Sequence, residues 1–382
     1  MDLGVGLIHP VCGVNALELV HCTRSKVVPR TFKGSSFVGR AFFYIQRRNT
    51  MKHIVSGIQP TGSLNIGTYL GSIKNFVKLQ DQMPEHEFFI FIADLHAITI
   101  PKEKQFLRKK IKELAALYIA CGLDPNRVNL FIQSEVPAHS QLAYLLQCNS
   151  YIGELERMTQ YKDKSKKQES VTVGLFSYPT LMAADILLYD AEYVPVGIDQ
   201  KQHLELTRDI AIRMNNRYND IFTVPQPLIA EVGAKIQSLT DPDQKMSKSD
   251  DLIKSRIDLL DDENIIRKRI RSAVTDSVGT IVYNKEQRAG ISNLMTIYSV
   301  ITGKSFTELE EQYQGCGYKE FKDDLAEVVV GELKPIQERY YDLINSKELD
   351  DILDKGRDRA IQVAMKKITK INDRIGLGRK RR

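Results

Sequence analysis

Between Lys52 and Tyr218 the chain alternates short β-rich runs with longer stretches of helical spacing, and that alternation restricts the fold more than any other feature. Lys52–Ile58 is β-rich and leads through the turn formers Pro60-Thr61-Gly62 into Asn65–Gln80. There Tyr69, Leu70, Ile73, Phe76, Val77 and Leu79 recur with a helical period. Glu87–Ala93 and Asn129–Gln133 read as buried strands, with predicted helices from about Lys102 to Cys121 and from about Ser140. Pro179–Asp190 reads as a helix, Ala191–Val196 as a strand and Asp199–Tyr218 as a helix, whereas Tyr151–Ser170 is polar and lysine-rich. Strands that alternate with helices pair in parallel, because every crossover returns the chain to the same end of the sheet. The expected fold is α/β, a Rossmann-like doubly wound parallel sheet with its ligand crevice at the strand C-termini.

Past about Asp241 the strand signals fade. Ser255–Ser272, Gly290–Thr302, Phe306–Tyr313, Tyr318–Ile344 and Leu349–Asn372 all carry helical spacing. This predicts a first domain over residues 51–240 and a helical C-terminal domain over 241–382. Hydrophobic residues at 42% and charged residues at 27% fit a globular chain. No run approaches the ~18–20 apolar residues that a membrane-spanning helix needs. The five cysteines form no CxxC pair and stand near no histidine cluster, which argues against a zinc site or a disulfide framework, and no metal ligands are predicted. The net charge of +6 says little, but the tail Gly376-Leu377-Gly378-Arg379-Lys380-Arg381-Arg382 suits either a solvated end or contact with RNA phosphates.

Two segments carry the chemistry. Gly57-Ile58-Gln59-Pro60-Thr61-Gly62-Ser63-Leu64-Asn65-Ile66-Gly67-Thr68 joins a strand to a helix, a junction that offers free backbone N–H groups to an anion. Gly67, lacking a Cβ, admits an adenine or ribose close to the backbone. Taken alone, this is as compatible with an ordinary strand-to-helix turn as with a nucleotide site. Lys245-Met246-Ser247-Lys248-Ser249 places two lysines three apart among small hydroxyl residues, as a loop clamping a polyphosphate would. Alone, such a string is most often a solvated loop; its pairing with the first segment is what makes it specific.

Together the two segments resemble the HIGH and KMSKS signatures of class I aminoacyl-tRNA synthetases. Gly153–Gln160, Tyr178–Tyr189 and Val194–His203 narrow the resemblance to the bacterial-type tryptophanyl family, from Met51 to the chain end. It implies ATP, with Mg²⁺ bound to it, as the nucleotide, L-tryptophan and tRNA(Trp) as further substrates, and tryptophanyl-adenylate as intermediate. It also implies a homodimer with an interface after about Leu145, and anticodon binding by the helical domain. By resemblance, Lys245, Lys248, Lys164, Asn65 and Thr68 are catalytic. ATP falls to Gln59, Pro60, Thr61, Gly67, Thr68, Gly197, Ile198, Asp199, Ile236, Lys245, Met246, Ser247, Lys248 and Ser249. Tryptophan falls to Asp185, Tyr178, Met182, Gln200 and Gly57. The pattern departs at Asn65 and Thr68, which replace the HIGH histidines, and at Ile198, where any ATP contact has to come from backbone.

Asp185 is the most informative residue. Met182 precedes it by three positions, while Leu181 and Tyr189 flank it at four, so it shares a largely apolar helix face. A carboxylate there needs a partner; either the face meets solvent, or Asp185 accepts the indole N–H while Met182 packs on the ring. His96, His139 and His203 are expected to be structural or substrate-side residues. The rivals are a tyrosyl-tRNA synthetase, a catalytically inactive tRNA-binding paralogue and a small nucleotidyltransferase. The 197–203 run and the Met182/Asp185 pair favour tryptophan, the Lys245–Ser249 loop favours activity, and the long helical domain disfavours the third.

Residues 1–50 show neither period and carry seven Lys and Arg against Asp2 and Glu18. An Arg-rich, acid-poor leader suits an organelle transit peptide. The nucleotides offer another reading. Arg47-Arg48-Asn49-Thr50 can be written AGG AGG AAY ACN, a ribosome-binding sequence just ahead of the Met51 codon. Lys26-Val27-Val28-Pro29-Arg30 can encode the box of a tRNA-sensing T-box leader, and Ser35–Phe43 an inverted repeat followed by a run of T. All three stand in the order of a bacterial leader RNA. The expectation is an over-extended start, with Met51 the native first residue and the protein in the bacterial cytoplasm.

Overall fold

A computed structural model of the chain describes residues 51–166, 169–195, 200–228, 235–247 and 252–379. Five parallel strands form one sheet in the order β3-β2-β1-β4-β5. They are β1 (Lys52–Ile58), β2 (His86–Ile92), β3 (Val128–Ile132), β4 (Ala191–Pro195) and β5 (Gln226–Leu228). β1 pairs β2 in continuous register from Lys52–His86 to Ile58–Ile92, and pairs β4 on its other side. The order reverses at β1, so the crevice opens above the ends of β1 and β4, as a doubly wound sheet dictates.

The period of two along the strands sorts the core into layers. Ile54, Phe88, Ile90, Ile92, Val128 and Leu130 pack in one cluster, and Val55, Phe89, Phe91 and Phe131 in the other. The helices that cover the sheet follow in chain order: α1 (Ile66–Thr68), α2 (Lys74–Gln82), α3 (Asp94–Ala97), α4 (Lys104–Ala120), α5 (Ala138–Gln147), α6 (Ile152–Glu156), α7 (Thr159–Ser165), α8 (Val173–Leu187) and α9 (Lys201–Tyr218). Beyond residue 241 come α10 (Glu263–Arg271), α11 (Ala289–Thr302), α12 (Phe306–Gln312), α13 (Tyr318–Ile344) and α14 (Lys347–Ile375), with no regular strand among the described residues there.

Some boundaries differ from the sequence reading. The first helix is split by a π-helical stretch, Tyr69–Ile73, between α1 and α2. α8 begins at Val173, not at Pro179, because the Thr172 side chain caps it by accepting from the Leu175 N–H. α10 begins at Glu263, where Asp262 caps it, eight residues after the predicted start at Ser255. β5, only three residues long, carried no sequence signal, and the polar 151–170 stretch holds α6 and α7. Among the described residues no helix is long and apolar enough to cross a membrane.

α14 leaves the helical region and crosses the edge strand β3. Leu349 and Leu353 pack in one core cluster, Ala360, Ala364, Ile368 and Ile371 in the other. Between them Gly356 lies against the strand, where a Cβ would stand 2.0 Å from the Leu130 carbonyl oxygen. Arg359 donates to Glu87 at 2.7 Å, and buried Lys367 donates to the Ile221 carbonyl at 2.5 Å beside its ion pair with Asp190.

Candidate active site

The β1–α1 turn is built around Asn65. Its extended backbone sets it as the cap of α1, and its Oδ1 accepts from the Thr68 N–H at 2.9 Å and the Thr68 hydroxyl at 3.2 Å. Asn65 is buried, and among the described residues its Nδ2 has no hydrogen-bond partner. The hydroxyl of Thr68 therefore serves Asn65. Residues 257–259 hold the turn from outside: Ile66 donates to the Ile257 carbonyl and Leu259 to the Leu64 carbonyl, at 2.8 and 2.9 Å.

Gly67 draws the two signature segments together. A Cβ there would lie 3.3 Å from Asn65 Oδ1, 3.3 Å from Met246 Cβ and 3.5 Å from Ile236 Cβ. Ile236 and Met246 are buried, and they face each other across a tight hairpin in which Met246 donates to the Ile236 carbonyl at 3.1 Å. Asn293 of α11 clamps that hairpin, accepting from the Gln237 N–H at 2.8 Å and donating to its carbonyl at 2.9 Å. Lys245 is exposed beside it, with Ser247 half-buried; Lys248 and Ser249 lie outside the described residues, as do Gly197, Ile198 and Asp199. Gln59, Pro60 and Thr61 line a cavity of about 60 Å³ with Lys110 and Glu113.

Asp185 is buried on α8 at 2% exposure, and protein donors surround it. His96 Nε2 lies 2.8 Å from Oδ2, and Gln133 Nε2 and His139 Nδ1 each lie 2.7 Å from Oδ1. Burial by itself would raise this carboxyl's pKa; the hydrogen bonds from His139 and His96 outweigh that and hold it below the usual aspartate value. The side chain is thus an anion with acceptor positions only. Sequence reading singled out Asp185 and the histidines but missed their union, because the donors come from α3, the end of β3 and α5. The readable signal was the requirement itself: a buried carboxylate has to find N–H groups.

The other predicted tryptophan residues gather nearby to different degrees. Tyr178, about two turns before Asp185, is buried and hydrogen-bonds His203 Nε2 at 2.6 Å. Lys164 Nζ stands 5.5 Å from the Tyr178 ring, and burial pushes its pKa below the ordinary lysine value. Met182 is partly buried against the same core cluster as Ala183 and Ala184. Gln200 caps α9. Gly57 has a packing role: a Cβ would stand 2.4 Å from the Phe91 ring, so the strand end can pass that ring only as glycine. Among the described residues no three His, Cys, Asp or Glu are placed to hold a metal ion.

The family model for tRNA synthetases class I (W and Y) matches residues 47–334. The chain belongs to that family. The tryptophan–tRNA ligase of Listeria monocytogenes is 58% identical over 331 residues, covering 87% of this chain and 99% of the relative. That of Bacillus subtilis is 58% identical over 329 residues, covering 86% and 99%. A crystal structure of tryptophanyl-tRNA synthetase from Campylobacter jejuni, complexed with ADP and tryptophan, superposes with a TM-score of 0.75 at 38% identity. It covers 85% of this chain and 100% of its own. A tyrosyl-tRNA synthetase from Aeropyrum pernix, 19% identical with a TM-score of 0.57, shares the fold alone. The class I synthetase fold expected from the sequence is the one observed.

Proposed function

We infer that this chain activates L-tryptophan with ATP and transfers it to the 3′ end of tRNA(Trp). The observation that carries the choice of amino acid is the arrangement of donors on Asp185. A carboxylate has about four lone-pair positions. Among the described residues Oδ1 takes two donors and Oδ2 one, so an acceptor position on Oδ2 is left for a ligand N–H. An indole N–H meets that requirement. The tyrosyl alternative is disfavoured by curated relatives at 55–58% identity that are tryptophan–tRNA ligases.

In the reaction the tryptophan carboxylate attacks the ATP α-phosphate in line and pyrophosphate departs. A ribose hydroxyl of the tRNA 3′ end then takes the aminoacyl group from the adenylate. Tyr178 and Gln200 hold the substrate amino group and Met182 packs on the indole. Gln59, Pro60, Thr61, Gly67, Gly197, Ile198, Asp199, Ile236 and Met246 form the nucleotide's surroundings, with Ile198 contributing backbone only. This seat is supported by the buried Asn65 Nδ2, which is unpartnered among the described residues. Asn65 donates to a nucleotide oxygen, while Thr68 holds Asn65 in place. Lys164, Lys245 and Lys248, with Ser247 and Ser249 around the latter two, meet charge that builds on the phosphates. Mg²⁺ bound to ATP supplies further charge neutralisation there.

We place the protein in a bacterial cytoplasm, in keeping with its bacterial relatives, as a homodimer. The exposed Tyr144, Tyr151, Ile152 and Val173 support an interface on the α5–α8 side, with Ile152 and Val173 exposed to 68% and 79%. Residues 51–240 are taken as the catalytic domain with this interface insertion, and 241–382 as the signature loop and anticodon-binding helices. ATP–pyrophosphate exchange, run with each amino acid in turn, tests the function. Exchange dependent on tryptophan is expected; exchange driven by tyrosine, or by no amino acid, overturns the assignment.

A further inference from the structure

Asp185 is the visible end of a longer hydrogen-bonded chain. The ring of His139, with no exposed surface, places Nδ1 2.7 Å from Asp185 Oδ1 and Nε2 2.8 Å from the Tyr189 hydroxyl. Tyr189 is equally buried, stacked on Phe89 at 4.6 Å and tilted against Phe131 at 5.9 Å. We propose that Tyr189 is a positioning residue for tryptophan selection, acting through His139 to keep Asp185 a bare acceptor for the indole N–H. The proposal rests on the reading of Asp185 as the indole acceptor.

The argument is one of proton placement. A neutral imidazole carries one N–H and one lone pair. If the proton sat on Nε2, the Nδ1 lone pair would face an ionised carboxylate oxygen, two acceptors in contact. That is relieved only if Asp185 takes a proton. A protonated Asp185 would then spend its O–H on His139 and weaken as an acceptor towards the substrate. A Tyr189 O–H that donates to Nε2 fixes the other tautomer, with the N–H on Nδ1 pointing at Asp185. Burial also keeps the phenol protonated, pushing its pKa well above the usual tyrosine value, so it remains a donor. Gln133 and His96 complete the acceptor count, but neither sets the His139 tautomer.

Tyr189→Phe removes the hydroxyl and keeps the ring that packs on Phe89 and Phe131. The readout is the ratio of kcat/KM in ATP–pyrophosphate exchange for tryptophan over its benzothiophene analogue, in which sulfur replaces the N–H. It is measured on the full chain for wild type, Tyr189→Phe, Asp185→Asn and His139→Gln, with circular dichroism to verify folding. Tyr189→Phe is expected to lower the ratio by about tenfold, the size of one weakened charge-assisted hydrogen bond. In the His139→Gln background the carboxamide donates without a tautomer to choose, so adding Tyr189→Phe should leave the ratio where His139→Gln put it. If Asp185→Asn lowers the ratio and Tyr189→Phe merely lowers stability, the relay is overturned and the indole reading stands. If Asp185→Asn leaves the ratio unchanged, the indole reading falls and the relay with it.

Discussion

Lys245 and Lys248 stand three positions apart in the sequence, and Lys245 adjoins a hairpin anchored by two buried side chains, Ile236 and Met246. A cation that meets phosphate charge chiefly as pyrophosphate leaves acts on kcat and hardly on ground-state binding. Lys248→Ala should therefore slow adenylate formation by about a hundredfold or more, with the tryptophan KM nearly unchanged. A raised tryptophan KM as the main effect would reassign the residue. Asp185, Gly57 and Gly67 could be singled out from the sequence because each breaks a local rule: a carboxylate on an apolar face, glycines at a strand end and a helix start. What they touch could not. Gln133 and His139 reach Asp185 from positions 52 and 46 residues away, and Asn293 reaches Gln237 across 56. Hydrophobic periodicity carries no information about pairings at that range.

At the scale of elements, strand and helix periods were legible wherever one face is buried, and ends were lost where a cap or a tertiary contact sets them. Pro179 reads as the start of a helix, yet it lies inside α8 because Thr172 supplies an earlier cap. The joint between β2 and α14 makes a measurable prediction. Desolvation would raise the Glu87 pKa, but hydrogen bonds from Arg359 and His53 bring it from 4.5 down to about 2. The folded value lies below the unfolded one, so this stabilisation is present above the unfolded pKa and is lost as pH falls through the folded one. Glu87→Gln should cost on the order of 2 kcal/mol at neutral pH, allowing for Arg359's partial exposure. The difference from wild type should shrink as pH drops from 4.5 towards about 2. Urea unfolding of both proteins across that range reads it; a pH-independent difference would mean Glu87 acts through packing.

For the molecule as a whole, a chain beginning at Met51 is expected to fold and to retain tryptophan-dependent exchange at the rate of the full sequence. The 331 residues shared with the Listeria protein account for 99% of that relative. Loss of folding or of exchange in the shortened chain would show that residues 1–50 are needed. The α/β class and the helical C-terminal region were readable because they depend on the order of elements. The closure of both core clusters by α14 was not, since it depends on where a helix lies in space.

That crossing helix also guards the sheet. β3 is an edge strand, and an uncovered edge can recruit a strand from another molecule. Gly356 brings α14 against the Leu130 backbone and closes part of that edge, while Arg359 fastens it to Glu87, 272 residues earlier in the chain. During synthesis, then, the sheet strands leave the ribosome long before their cover does. In that interval β3 offers its unpaired backbone to any neighbour, and polypeptides stalled or cut ahead of Lys347 would stay in this sticky condition. Protection against aggregation is thus a property the fold acquires late, when α14 docks.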